Sequence, residues 1–284
     1  MRIIRACIVA TLLSAALPSA AQEATDSVSS DNNIFNHLSI GLNIGTPGIG
    51  IDVSAPITRY VAVRAGVNFF PTIKWSDDFY FGGASEYNSL RYNHPELNLP
   101  ETSLGSSEDI DYEASIHNTT GHVLFDIYPG KNTTFHFTLG AYFGGGNFIQ
   151  AKNKEKGIFR GISQYNNFVE QHPEAGYDKI GVEFDDNYLL EPDDDGNVQG
   201  NVHVSGFRPY VGIGVGRAIP KNRMGFQFDF GVMFWNKPKV YCQGHELTKM
   251  PNEYGNSDDG DIMKIVKHVI GYPVINFRII TKIL

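Results

Sequence analysis

The sequence predicts an all-β fold, an eight-stranded antiparallel up-and-down transmembrane β-barrel with long extracellular loops. Three observations carry this expectation. Eight segments alternate apolar with polar or small residues. The connections between them fall mostly into tight turns at one end and long polar loops at the other. The chain opens with an export signal, yet beyond it no apolar run approaches the length of a transmembrane helix.

The N-terminus is read first. "MRIIR" is a basic start, "ACIVATLLSAAL" an apolar stretch of signal-peptide length, and Ser19 and Ala21 occupy the −3 and −1 positions of a cleavage site in "PSAAQE". Residues 1–21 are therefore expected to be a signal peptide, 22–35 a flexible N-terminal segment, and 36–284 the barrel. Cys7 falls in the signal, so the mature chain keeps only Cys242 and forms no internal disulfide. A net charge of −8 argues against nucleic acid as a partner. Mean hydropathy of −0.22 resembles a soluble protein, but alternating lipid-facing and lumen-facing residues average to an ordinary value.

The strands follow in order. "HLSIGLNIG" sets Leu38, Ile40, Leu42 and Ile44 against Ser39, Gly41 and Asn43. "GIGIDVSA" sets Ile49, Ile51 and Val53 against Gly50, Asp52 and Ser54, and "VAVRAGVNF" sets Val61 to Phe69 against Ala62, Arg64, Gly66 and Asn68. "HVLFDIY" offers Val123, Phe125 and Ile127 against His122 and Asp126, with Leu124 out of pattern. "FHFTLGAYFG", "YVGIGVG", "MGFQFDFGVMFW" and "VINFRIITKIL" complete the eight. "PITRY", "PGKN" and "IPKNR" are tight turns. The long connections span roughly 76 to 110, 146 to 200 and 242 to 268, while "TPG" is a short one on the same side. Ten strands result if the loop at 76–110 holds a pair of its own. A secreted β-sandwich also alternates, but it does not explain glycines on the faces it would expose, or two aromatic belts. Tyr60 and Tyr128 are assigned to the turn-side girdle, and Phe69, Trp75, Phe143, Phe234 and Trp235 to the loop-side one. The chain ends on a strand, although Leu284 is not the aromatic residue of the usual signal to the barrel-insertion machinery.

Turn positions give a first estimate of register. Centring "PITRY" on Thr58 sets Asp52 opposite Arg64. The other two turns set Asp126 opposite His136 and Gly212 opposite Asp229, with Val215 facing Phe226. Arg278 and Lys282 point inward from the last strand. Asp52, Arg64, Asp126, His136, Asp229, Arg278 and Lys282 therefore form an expected lumen charge network, with glycines leaving room for the arginines. An eight-stranded barrel is only wide enough for its own side chains, and desolvated charges there must pair. A side-chain-filled plug is the favoured reading; a narrow porin-like channel for small solutes or ions is the alternative.

"VLFDIYPGKNTTFHFTLGAYFG", "GFRPYVGIGVGRAIPKNRMGFQFDFGVMFW" and "GYPVINFRI" resemble small outer-membrane β-barrel proteins of Bacteroidota across nearly all of the mature chain. That resemblance implies the fold and a place in the outer membrane of a Gram-negative bacterium; it brings no catalytic motif and no cofactor. "DSV" is similar to the O-glycosylation signal of that phylum and would place a glycan on Ser27. In the loops, Asp193 and Asp195 of "EPDDDGN" and Asp258 and Asp259 of "NSDDGD" are candidates for weak divalent-ion binding, though neither loop has EF-hand spacing. "ISQYNNFVEQHPE" predicts a short helix ended by Pro173. His203 and Ser205 lie on one face near the loop-side edge, which raises a lipid-modifying hydrolase as a second alternative, but no acid is placed to orient the histidine. The chain is expected not to be an enzyme. The expected role is surface display or envelope structure, with outer-membrane lipid, lipopolysaccharide and an extracellular ligand or glycan as partners.

Overall fold

The computed structural model describes residues 37–80, 84–95, 98–99, 109–184, 188–247, 263–264 and 268–284. The expected signal peptide, the 22–35 segment, Ser27, Asp258 and Asp259 lie outside the described residues. Eight antiparallel strands close on themselves: β1 (Ser39–Gly45), β2 (Gly48–Thr58), β3 (Val61–Tyr80), β4 (Asp109–Ile127), β5 (Phe135–Gly144), β10 (Phe207–Gly216), β11 (Met224–Phe234) and β14 (Gly271–Lys282). The ring closes where β1 pairs with β14, so that Ser39 faces Lys282 and Gly45 faces Asn276. Among the described residues no helix is long and apolar enough to cross a membrane.

The alternating residues sort onto two faces. Leu42, Ile49, Phe69, Phe137, Phe226 and Phe230 are exposed on the outside, Phe226 by 61%. Their neighbours Asn43, Asp52, Asn68, Thr138, Gln227 and Asp229 are buried inside. A continuous apolar belt of this kind is far larger than a soluble monomer exposes. Leu124 is not an exception to the pattern. It is 3% exposed and faces the lumen, where it packs with Tyr142, Tyr210, Met233 and Val274.

The walls differ in height. β3 has 20 residues and β4 has 19, against 7 for β1, 11 for β2 and 12 for β14. A tilted strand of about 9–11 residues crosses a bilayer, so the loop-side halves of β3 and β4 rise well clear of the belt. They are joined there by β6 (Asn147–Asn153), β9 (Gln199–His203), β12 (Lys239–Cys242) and β13 (His245–Glu246) in the order β3-β4-β6-β9-β12-β13. Sequence reading assigned most of these residues to loops. The reason is a change of phase. Below, the apolar residues of β4 face outward; above, Ile110 and Ala114 are buried inward while Asp111 is exposed outward. The alternation continues, but with the polarity of a soluble sheet.

This raised sheet supports a crown with its own core. Helix α1 (Ala84–Asn93) and helix α2 (Arg160–Gln171) bring Tyr87, Phe159, Ile162, Tyr165 and Val169 against Ile110 and Val198. Ile162, Tyr165 and Val169 follow helical spacing on one face of α2. The Asn166 side chain donates to the Ile180 carbonyl (2.7 Å) and accepts from the Ile180 N–H (2.8 Å), pinning the following segment. A separate strand pair, β7 (Val182–Phe184) with β8 (Tyr188–Leu190), forms in the 146–200 loop; among the described residues of 76–110 there is none.

Register departs from the first estimate at all three turns by the same amount. Ser54, not Asp52, faces Arg64; Thr138, not His136, faces Asp126; and Gly214, not Gly212, faces Asp229, with Val215 opposite Phe228. A two-residue slip leaves every side chain on its own face, so alternation is blind to it. Turn chemistry decides instead. At the first turn a bulge falls between Pro56 and Thr58, and the Thr58 hydroxyl accepts from the N–H groups of Tyr60 (3.1 Å) and Val61 (3.0 Å).

Candidate functional site

The site is the lumen, which is filled in three layers. At the turn end the β10–β11 connection folds back over the opening. The Ala218 N–H donates to the Tyr128 hydroxyl at 2.8 Å, and the Ala218 carbonyl accepts from the Ser54 hydroxyl across the barrel at 2.8 Å. Ala62, Tyr128 and Ala218 are buried together there, with Ile219 against them.

The charged layer lies above this floor. Arg64 donates to Asp229 Oδ2 and to Asp126 Oδ1, each at 2.8 Å. Arg278 grips Asp52 with Nε at 2.8 Å and with Nη2, while Nη1 donates to Gln227 Oε1 at 3.0 Å and Nη2 also reaches the Ser54 hydroxyl at 3.1 Å. Gln227 links the two halves by donating to Asp126 Oδ2 at 3.1 Å. Thr138 adds a bond to Asp126 at 2.8 Å, and Asn43 one to Asp52 at 3.2 Å. Arg64, Arg278 and all three carboxylates are buried. Bidentate guanidinium–carboxylate geometry supplies charge and direction together, which is what desolvated ions need. Glycines make the room: a Cβ on Gly41 would fall inside the Arg278 guanidinium, and one on Gly214 would strike both His136 and Asp229.

His136 completes the layer. Nε2 lies 2.9 Å from Asp229 Oδ1 and 3.0 Å from the Gln227 amide nitrogen, and Nδ1 lies 3.2 Å from the Thr134 carbonyl. Asp126, His136 and Asp229 bring ligand atoms within 4.8 Å of one another, a spacing that suits a metal ion. The Arg64 guanidinium already bridges the two carboxylates and supplies the positive charge there.

The third layer is apolar. Leu124, Met233 and Val274 stand two to four residues loop-ward of Asp126, Asp229 and Arg278, and Tyr142 and Tyr210 pack with them, edge to face at 5.5 Å. Above them lies Arg208, fully buried, which sequence reading missed. It donates to the carbonyls of Ser205 (2.7 Å) and Gly145 (2.6 Å) and to Asn118 Oδ1 (3.2 Å), and stands 6.0 Å from the Trp235 ring centroid. The available signal was its place between outward Phe207 and Pro209 in the inward phase.

Several sequence expectations change. Arg64 does not pair with Asp52, which lies opposite Gly66; its partners are Asp126 on the neighbouring β4 and Asp229 on β11. Lys282 is at the turn-side rim, half-exposed, and forms no ion pair among the described residues. Tyr60, Phe69, Phe143 and Phe234 are exposed on the outer surface. Tyr128 and Trp235 are not girdle residues: their phase turns them inward, at 3% and 4% exposure. Trp235 packs on Phe148 and Tyr272. Trp75 is half-buried in the raised sheet, opposite Ala114. Asp193 Oδ1 accepts from the Asn197 N–H at 2.7 Å as part of its own turn. The Ser205 hydroxyl donates to the Phe207 carbonyl at 2.8 Å, and His203 Nδ1 is 3.2 Å from Asn147 Oδ1.

No protein-family profile matches the chain, and no curated protein does. Solved structures with similar architecture are outer-membrane barrels. Acinetobacter baumannii CarO2 is 16% identical over 89% of this chain and 100% of its own, with a TM-score of 0.44. Acinetobacter baumannii CarO is 13% identical over 86% and 96%, at 0.41. A major outer membrane protein from Thermus thermophilus is 12% identical over 87% and 98%, at 0.37. Similarity at this level assigns no activity to the chain.

Proposed function

We propose that the protein sits in the outer membrane of a Gram-negative bacterium as a plugged barrel and works through its extracellular crown, as a surface-display, binding or envelope-structural protein. The resemblance to small outer-membrane barrels of Bacteroidota agrees with this reading, and so does the exposed apolar belt. The observation that carries it is the filled lumen: a floor at Ala218, a cross-braced charged layer, and an apolar layer above. A conducting path would have to part buried ion pairs and then cross desolvated Leu124 and Met233. The crown, by contrast, has a hydrophobic core of its own and holds α1 and α2 clear of the belt. Under this reading the chain is not an enzyme, and the hydroxyl of Ser205 serves its own turn.

Planar-bilayer recording of the purified, folded protein tests the proposal. Insertion without steady current is expected. A reproducible ohmic conductance would overturn the plug and restore the porin-like alternative.

A further inference from the structure

The two ends of the barrel handle charge differently. In the crown, cations and acids are interleaved in exposed ion pairs such as Lys74 with Glu113 and Lys239 with Glu246. The turn end carries Arg59, Lys131, Arg217, Lys221, Arg223 and Lys282, and its described turn and rim residues include no Asp or Glu. None of the six forms an ion pair among the described residues, in a chain whose net charge is −8.

These cations form a ring. Arg217 Nη1 donates to the Lys131 carbonyl at 2.9 Å, and Lys221 Nζ to Asn132 Oδ1 at 3.3 Å, which ties two neighbouring turns together. The Lys282 N–H donates to the Arg223 carbonyl at 2.9 Å, which carries the ring on to β14. On the other side the Tyr128 N–H donates to the Tyr60 carbonyl at 2.8 Å, beside Arg59. The ring also abuts the apolar belt. Arg223 directly precedes Met224, which is 57% exposed, and Arg59 directly precedes Tyr60, which is 41% exposed.

We infer that this ring is a docking surface for anionic phospholipid headgroups of the leaflet on the turn side. The inference rests on the membrane reading given above. Six like charges with no Asp or Glu beside them among the described residues repel one another unless counter-charge is supplied. Arg59, Arg223 and Lys282 stand one residue from exposed Tyr60, Met224 and Ile283, which puts the ring at headgroup depth, where phosphate is at hand, rather than out in the aqueous compartment. Basic residues next to a membrane attract anionic lipid by about a factor of five each at low salt.

The test uses the full mature chain in nanodiscs of phosphatidylethanolamine with a minority of phosphatidylglycerol. The lipid retained after mild detergent extraction is quantified. Retained lipid is expected to be enriched in phosphatidylglycerol, and the enrichment to collapse at high salt. Lys131→Gln, Lys221→Gln and Arg223→Gln combined should sharply reduce it, while Lys131→Arg with Lys221→Arg should keep it. The wild-type salt titration stands even if the triple variant does not fold. Retained lipid matching the bulk composition, or enrichment indifferent to salt and to the triple variant, would overturn the inference. Displacement of the lipid by soluble anionic peptidoglycan fragments would also overturn it, in favour of a cell-wall partner. A chain that fails to enter the nanodisc at all sinks the membrane reading instead.

Discussion

Replacing Arg64 by alanine removes the guanidinium that bridges Asp126 and Asp229 and leaves the Gln227 amide as the neutral donor to both. Oxygens of these two carboxylates lie within 4.8 Å of each other. Two unit charges at that spacing repel by about 3.5 kcal/mol at an effective dielectric constant of about 20. Removing one partner of a buried pair generally costs about 3–5 kcal/mol, so the two estimates agree. Asp126 keeps Thr138 and Gln227 as donors, and Asp229 keeps His136, which argues for the lower half of that range. The assay is urea unfolding of the folded protein in detergent, followed by the fluorescence of Trp75 and Trp235 and by mobility of unheated samples on gels. A second substitution identifies the partner. Arg64→Ala with Asp229→Asn should recover part of the loss, whereas Arg64→Ala with Asp52→Asn should add to it, because Asp52 answers to Arg278. A loss below about 1 kcal/mol, or rescue by Asp52→Asn alone, would refute the assigned network.

Three further outcomes follow from the same geometry. Gly41→Ala places a methyl group in the space of the Arg278 guanidinium and should cost about 1–3 kcal/mol in the same unfolding assay. Ile162→Ala empties part of the crown core and should loosen the crown by about 2–5 kcal/mol; limited proteolysis should then cut the 146–200 region faster while the barrel keeps its unheated gel mobility. Burial pushes the Cys242 thiol up to about 11, so at neutral pH it keeps its proton and holds about a hundredfold less thiolate than an exposed cysteine. Maleimide labelling should accordingly be slow in the folded protein, rise with pH through that value, and become fast on unfolding.

Alternation was legible because lipid and lumen impose opposite demands on successive residues, and it placed Asp52, Arg64, Asp126, Asp229 and Arg278 on the inner face. It could not name partners. Side-chain direction repeats every two residues, so a hairpin slipped by two looks the same in sequence, and that slip moved Asp52 from Arg64 to a place opposite Gly66. The crown was hidden for a different reason. Above the belt the outer solvent becomes water, the apolar phase moves to Ile110 and Ala114, and a search for apolar-outward strands stops there. Trp235 and Tyr128 show the same limit. An aromatic residue near a strand end was assigned to the girdle, when its parity already turned it inward.

The arrangement of cations ties these findings together. Inside the barrel the buried guanidinium groups of Arg64 and Arg278 meet the three carboxylates, while that of Arg208 donates to the Ser205 and Gly145 carbonyls and to Asn118. A planar guanidinium can donate to two carboxylates at once, as Arg64 does, and a lysine ammonium cannot reproduce that fork. At the turn-side rim Lys131, Lys221 and Lys282 stand among the arginines with no carboxylate in reach among the described residues. Water or headgroups can solvate an ammonium there at little cost. In the charged layer, where the lumen excludes solvent, the guanidinium groups meet carboxylates; Arg208 higher up is satisfied by carbonyls instead, and at the rim the cations are left in excess. An Arg64→Lys variant separates the two regimes. It conserves charge but loses the bridge between Asp126 and Asp229, and should destabilise the barrel by about 1–3 kcal/mol. Lys131→Arg at the rim should leave stability unchanged in the same assay.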